Sequence, residues 1–283
     1  MPNLAGVGTP ITYSEDNPIL RPIRAWRENR WSQMRPPKDD AERRLLADWL
    51  GFRGRDEMVG IVGAGTYAYT HFDLDMEWRR ILSEHIEEEC GHGWNFIQLA
   101  NKLDPSKDHS RPDPEFETRW NLGRRWNHWA IITRDFLSYL FAGNLWVYGH
   151  VTASCRFPIV SDDRVIHYQR TDQLAGEEHH HYRALQKIHD TVWELIDRYG
   201  ESALRKRIAE IDAEALNNNS RTIWDPPTRD FLVGQLGCSL EMAPLFFAWR
   251  EYLYQNVLGW DPEPATIKEW PVGVPTSMQL VAA

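Results

Sequence analysis

The chain of 283 residues has few cysteines: Cys90, Cys155 and Cys238. They are odd in number and far apart, so a disulfide framework is not expected and a reducing cytoplasm is favoured. No CxxC pair occurs, which argues against a zinc ribbon and against a bound iron–sulfur cluster. Long hydrophobic runs are also missing. The most apolar stretch, residues 130–151, is interrupted by charged and polar residues, which indicates a buried helix rather than a membrane span.

Acidic residues outnumber basic ones, 41 to 32. The formal net charge is −9, which argues against general nucleic-acid binding, because that activity needs a basic face. The first 22 residues contain no basic start followed by an apolar block, so no secretory signal is expected. The sequence therefore predicts a cytoplasmic protein with neither a nucleic-acid partner nor a membrane partner.

Apolar residues at helical spacing are what the sequence does have, and they predict an all-α fold. Residues 1–37 are rich in Pro, Arg and Trp without a sustained period and are expected to form an extended arm. Residues 38–260 are expected to form one helical domain, and residues 261–283 an extended tail. Four long helices fit an antiparallel four-helix bundle with additional C-terminal helices. The predicted helices span 40–69, 74–103, 117–154, 163–199, 201–216 and 228–258.

Two Glu-x-x-His motifs occur near the middle of two of these long helices. The first is Glu89 with His92, and the second lies in the run 177–181, Glu-Glu-His-His-His. Positions i and i+3 share a helix face, so each pair can present one carboxylate and one imidazole to a single metal ion. One such motif is common by chance, but two on separate long helices are more informative.

Periodicity separates the candidates in the second motif. Glu178 and His181 interrupt a stripe that is otherwise aliphatic, whereas the stripe through Glu177 is mostly polar. Glu89 interrupts a similar core-facing stripe, with His92 beside it. The aliphatic stripe of the second motif is Leu174, Leu185, Ile188, Val192 and Leu195, and that of the first is Leu82, Ile86, Gly93, Phe96 and Ala100.

A charge on a core-facing stripe is costly unless it is paired or bound to a metal. Buried Glu–His ion pairs within each helix are one interpretation, and a metal centre is the other. The presence of two motifs favours the metal centre. Imidazole and carboxylate ligands suit iron or manganese, and the lack of thiolates disfavours structural zinc.

A bundle site for two metal ions also needs a carboxylate from each of the other two helices. On the first helix the candidate is Glu57, with Glu42 as the alternative. Gly91 and Gly93 flank His92, and because glycine inside a helix costs about 1 kcal/mol against alanine, they suggest close helix approach or room for a metal and substrate.

The third helix offers one acid within its apolar stretch, Asp135. It is taken as the fourth carboxylate, although a salt bridge or a solvent-facing position beside Arg134 is the alternative. Asn144 and His150 are the fallback ligands from this helix.

These motifs resemble a known family. The stretch 56–60, Asp-Glu-Met-Val-Gly, is followed by Arg-Arg-Ile-Leu at 79–82 and by Glu-Glu-Cys-Gly-His-Gly at 88–93, with Glu57 and Glu89 32 positions apart. Together with the run 177–181, this pattern resembles the catalytic subunit of the phenylacetyl-CoA epoxidase family, which acts in phenylacetic acid catabolism. The resemblance covers residues 51–103 and 174–190.

The resemblance implies a ferritin-like bundle that holds two irons, activates O2 and inserts one oxygen atom into an aromatic or unsaturated substrate, free or linked to CoA or a carrier. It also implies an external electron donor, such as a separate reductase, and a structural partner subunit or a homo-oligomer. Glu57, Glu89 and Glu178 would be the catalytic carboxylates. The implied metal ligands are Glu57, Glu89, His92, Asp135, Glu178 and His181.

Two other functions fit the same residues. One is a di-iron N-oxygenase or desaturase that modifies a different substrate at the same kind of site. The other is a non-catalytic structural subunit of an oxygenase complex, in which the site has degenerated.

Overall fold

The computed structural model describes residues 17, 19–122, 127–146, 158–223, 226–239 and 243–263. Over these residues the fold is all-α, as predicted, and the β-structure in them amounts to one isolated bridge between Arg35 and Val160. No helix in the described part is long and apolar enough to cross a membrane. The α-helices are α1 (Leu20–Gln33), α2 (Asp40–Arg55), α3 (Val62–His71), α4 (Met76–Leu103), α5 (Pro114–Arg119), α6 (Asn127–Ile132), α7 (Phe136–Ser138), α8 (Asp163–Tyr168), α9 (Leu174–Tyr199), α10 (Glu201–Ile223), α11 (Pro226–Arg229) and α12 (Ala243–Leu253). The π-helical segments among the described residues are π1 (Asp56–Ile61), π2 (Tyr139–Trp146), π3 (Gln169–Gln173), π4 (Asp230–Gln235) and π5 (Tyr254–Leu258).

The two long helices predicted at 40–69 and 74–103 are confirmed. α2, π1 and α3 follow one another without a break, and α4 comes after a short turn. Both begin at an aspartate cap: the Asp39 carboxylate accepts from the Glu42 amide at 2.8 Å, and the Asp75 carboxylate accepts from the Trp78 amide at 2.7 Å. α4 ends at Leu103, just before Pro105, which cannot continue a helix.

Glycines set the distance between these two helices. A Cβ atom on Gly54 would lie 2.6 Å from the carbonyl oxygen of Gly93, and one on Gly93 would lie 2.7 Å from the carbonyl oxygen of Gly54. Farther along, Gly65 faces Ile86. Since the position rises on one helix as it falls on the other, the pair is antiparallel. The close approach expected beside His92 is therefore confirmed for Gly93, whereas Gly91 faces open space.

The prediction of one continuous third helix over 117–154 is wrong. Its described part consists of α5, α6, α7 and π2. Asn121 has a φ of 55°, a left-handed conformation that stops α5 from continuing. Asp135 is extended and accepts from the Ser138 amide at 2.8 Å, so it begins a new helix instead of continuing the previous one.

The helix predicted at 163–199 is confirmed as α8, π3 and α9, and it ends at Gly200, which has a φ of 79°. Two C-terminal predictions need correction. The helix predicted at 201–216 continues as α10 to Ile223, through an Asn-rich stretch whose low helix propensity is only a weak preference. The helix predicted at 228–258 is interrupted after π4, where Gly237 has a φ of 67°.

The N-terminal arm is not fully extended, because residues 20–33 form α1. Pro22 lies in the first turn of α1, where its missing amide hydrogen costs no helical hydrogen bond. Leu20 and Ile23 are fully buried and belong to the main core. The predicted tail lies mostly outside the described residues.

An ion pair between the exposed Arg35 and the buried Glu42 fastens the segment after α1 to the start of α2. The Arg35 guanidinium donates to both carboxylate oxygens of Glu42, at 2.7 and 2.8 Å, and the Lys38 amide donates to the same carboxylate at 2.8 Å. The hydrogen bonds from Arg35 are the main reason that the pKa of Glu42 falls from 4.5 to about 2, even though burial opposes the shift. Arg35 also exchanges backbone hydrogen bonds with residues 159 and 161.

We expect Glu42→Gln to lower the free energy of unfolding by about 1–2 kcal/mol at pH 7, since half of the pair, Arg35, is exposed and screened. The folded carboxyl has the lower pKa, so its contribution is complete above the unfolded value of 4.5 and disappears as the pH falls towards 2. Urea denaturation of both proteins over this range measures it. Asp40→Asn, an exposed change in the same turn, is the control and should keep the wild-type profile. A difference for Glu42→Gln that does not change with pH would contradict the prediction.

The main core joins the two halves of the chain. Buried residues of α3 and α4 pack with those of α6, α7 and π2, and with those of α9, α10, α12 and π5. α4 contacts α2, π1 and α3 on one side and α9 on another. The two helices that carry the Glu-x-x-His motifs are therefore neighbours.

Candidate metal centre

Glu89 lies at the centre of a small group of buried ionisable side chains. It is 3% exposed, in the middle of α4. Its Oε1 lies 3.3 Å from Nε2 of His85, and its Oε2 lies 3.3 Å from Nδ1 of His92. Burial raises the pKa of Glu89, but hydrogen bonds from the two imidazoles and their charge more than offset burial and hold that pKa well below its ordinary value. The carboxylate is therefore ionised and has an imidazole nitrogen beside each oxygen.

The second motif reaches the same region from α9. His181 is 5% exposed, and its ring lies edge-on to the ring of His85, with 6.4 Å between the centroids and an interplanar angle of 87°. His85 thus contacts both Glu89 on its own helix and His181 on the neighbouring one. Glu178 lies in α9 one turn before His181, but its side chain is outside the described residues.

Glu57 is 2% exposed and lies near the start of π1. Its carboxylate pairs with the Arg53 guanidinium, which also donates to Asp56 at 3.1 Å. Glu57 is three residues after Gly54, and Glu89 is four residues before Gly93. Because Gly54 and Gly93 are in contact and the helices are antiparallel, Glu57 lies at the level of Glu89. A π-helical turn often occurs where a side chain must be re-aimed at a functional site.

The alternative on the first helix, Glu42, lies at the start of α2 and is committed to Arg35 and the Lys38 amide. It takes part in none of the described contacts of Glu89, His92 or His181. The structure therefore brings Glu57, rather than Glu42, to the level of the motifs.

Asp135 is not placed with this group. Its carboxylate is about two-fifths exposed, caps α7 through the Ser138 amide at 2.8 Å, and accepts from Arg207 of α10 at 2.8 Å. The Nε atom of Arg134 lies 3.4 Å from the same carboxylate oxygen. The alternative noted from the sequence, a salt bridge beside Arg134, describes its surroundings. The fallback ligands, Asn144 and His150, have side chains outside the described residues.

Two residues of the cluster were missed in the sequence. His85 precedes Glu89 by four positions, a spacing that puts it on the same helix face as Glu89, and this was the available signal. Arg53 precedes Glu57 by four positions and Asp56 by three, the ordinary spacing for helix ion pairs. A search for Glu-x-x-His motifs passes over both.

The described donors fit a hard or borderline metal ion in type, since they are carboxylate oxygens and imidazole nitrogens inside an apolar core. In the part of the chain that the structure describes, no three His, Cys, Asp or Glu side chains converge closely enough to hold an ion. The described donors contact one another pairwise: His85 with Glu89, His92 with Glu89, and His85 with His181. The motifs also predict Glu178 as a donor, and its side chain lies outside the described residues.

No protein-family model, no curated protein and no solved structure matches the chain. The family resemblance therefore remains an expectation from the motifs.

Proposed function

We propose that the chain is a di-iron oxygenase that uses O2 to insert oxygen into an aromatic or unsaturated organic substrate. The observation that carries the proposal is the contact of both motifs through His85, which touches Glu89 on α4 and His181 on α9. Two Glu-x-x-His motifs on neighbouring helices, joined through His85, are the kind of donors that a bundle metal centre needs.

The residues that would hold two irons are Glu57, Glu89, His92, Glu178 and His181. Bound there, the irons would supply the reduction of O2 that oxygen transfer to an unactivated carbon requires. The carboxylates, Glu89 and Glu178 among them, would balance the positive charge of the irons. The residues around them would exclude water: Leu185 and Ile188 of α9 are fully buried on the stripe that carries His181.

Electrons would have to come from outside the chain, because the sequence holds no flavin or iron–sulfur motif. A reductase or a small reductant is the expected donor. The packing of α4 against α2 and α3 on one side and α9 on another supports a metal centre between helices, and the same centre would serve an N-oxygenase or a desaturase.

A second candidate is a structural subunit whose buried charges form an ion-pair network without metal. The pairing of Glu57 with Arg53 favours it, because a guanidinium neutralises a carboxylate that would otherwise bind a cation. The place of Asp135 in a cap and an ion pair also favours it, since the third helix then lacks that ligand.

Metal content separates these candidates. After expression with iron, we expect about two irons per wild-type chain and clearly fewer in His181→Ala. His189→Ala is the matched control, because His189 lies on the same helix, two turns on, and pairs with Asp190 instead. Oxygen uptake in the presence of a reductant and trial aromatic substrates then tests the chemistry. A folded wild-type chain that binds no iron would eliminate the oxygenase and leave the structural subunit.

A further inference from the structure

His85 is the residue that connects the parts of the candidate centre, although it belongs to neither Glu-x-x-His motif. Its side chain is mostly buried, in the middle of α4. His85, Glu89 and His92 lie four and three positions apart, so they follow one another along one face of the helix. The order along this face is imidazole, carboxylate, imidazole.

The distances on the two sides of Glu89 are equal. Nε2 of His85 lies 3.3 Å from Oε1, and Nδ1 of His92 lies 3.3 Å from Oε2. Two donors bound at right angles to one octahedral ion at about 2.1 Å each are about 3 Å apart. Each oxygen of Glu89 therefore has a nitrogen at the separation of neighbouring ligands on one ion.

The two imidazoles lie beside different oxygens of Glu89 and are seven positions apart, two turns along the helix. Their arrangement suits a carboxylate that bridges two ions, with His92 on the Oε2 side and His85 on the Oε1 side. His181 lies against His85, so it belongs to the Oε1 side as well.

We propose that His85 is a metal ligand, the nitrogen donor on the Oε1 side of Glu89, which makes the centre a three-histidine site for a pair of divalent cations. This inference rests on the proposed function. It supplies a donor that the sequence was expected to draw from Asp135 on the third helix, where the carboxylate is occupied by a cap and an ion pair. With a neutral imidazole in place of a carboxylate, the centre has one negative charge fewer.

The test is an anaerobic titration of the purified full chain with Co²⁺, followed by visible absorption. We expect about two ions per wild-type chain and about one in His85→Ala, with free imidazole restoring the second ion. His189→Ala should behave as the wild type, and circular dichroism checks that each variant is folded.

His85→Gln separates a ligand from a positioning residue. The glutamine amide can still donate to Glu89 and keep it oriented, but it is a poor ligand, so we expect affinity for the second ion to fall at least ~10-fold. A wild type with two ions and a His85→Gln or His85→Ala variant with the same stoichiometry and spectrum would overturn the ligand role and leave the proposed function intact. A wild type that binds no Co²⁺ and no iron would overturn both.

Discussion

Glu89→Gln is expected to lose both irons, whereas Glu87→Gln keeps them. The amide has the shape of the carboxylate but no charge, and only one of its two heavy atoms can accept. Each oxygen of Glu89 is within 3.3 Å of an imidazole nitrogen, so this one side chain serves both sides of the centre. Iron content should fall from about two per chain to almost none, an affinity loss of ~100-fold or more.

The control is well matched, because Glu87 is exposed on the same helix and the change removes the same charge. A second measurement, on metal-free protein, separates a metal centre from an ion-pair network. Without metal, Glu89→Gln should lower the free energy of unfolding by about 2–3 kcal/mol, since two buried imidazoles lose their anionic partner. Destabilisation without any iron in the wild type would support the structural subunit, and full iron in Glu89→Gln would refute the assignment of Glu89.

The sequence predicted the inward side chains because burial leaves a periodic signal. Glu89, His92 and His181 interrupt apolar stripes, and all three are buried. The same reasoning assigned Glu87 to a solvent-facing stripe, and Glu87 is exposed. The continuous helical stretch of α2, π1 and α3, and the helix α4, were also predictable. Each begins at an aspartate cap and carries apolar residues at helical spacing.

The third helix could not be predicted because a single side chain competes with the backbone. Asp135 lies among apolar residues at helical spacing, which indicates a buried acid on a continuous helix. In the structure it accepts from the Ser138 amide and pairs with Arg207, which is 72 positions away. Neither the local cap nor the distant arginine changes the hydrophobic pattern, so the pattern alone predicts a continuous helix through Asp135.

The role of His85 was missed for a related reason. The apolar stripe that was followed through Glu89 contains Leu82 and Ile86 but not their neighbour His85. Its contact with His181 depends on how α4 packs against α9, a tertiary relationship that no spacing within one helix encodes.

Gly93→Ala and Gly91→Ala are expected to change stability in opposite directions, although the two positions are only two residues apart on α4. A Cβ on Gly93 would lie 2.7 Å from the Gly54 carbonyl oxygen and 2.5 Å from Cγ of Met58. Backbone cannot yield as a side chain can, so the helices must separate, at a cost of about 3 kcal/mol. Gly91 has no neighbour within 4 Å, so alanine there should stabilise the helix by up to about 1 kcal/mol.

Urea denaturation of both variants beside the wild type measures the difference, which should reach about 4 kcal/mol. Metal content then shows whether this crossing positions the centre. Separation of α2 from α4 at Gly93 moves π1, which carries Met58 and Glu57, away from Glu89, so Gly93→Ala should also bind iron more weakly. Gly91→Ala keeps the crossing and should bind iron as the wild type does. Equal stabilities for the two variants would mean that the glycine contact does not set the spacing of the helices.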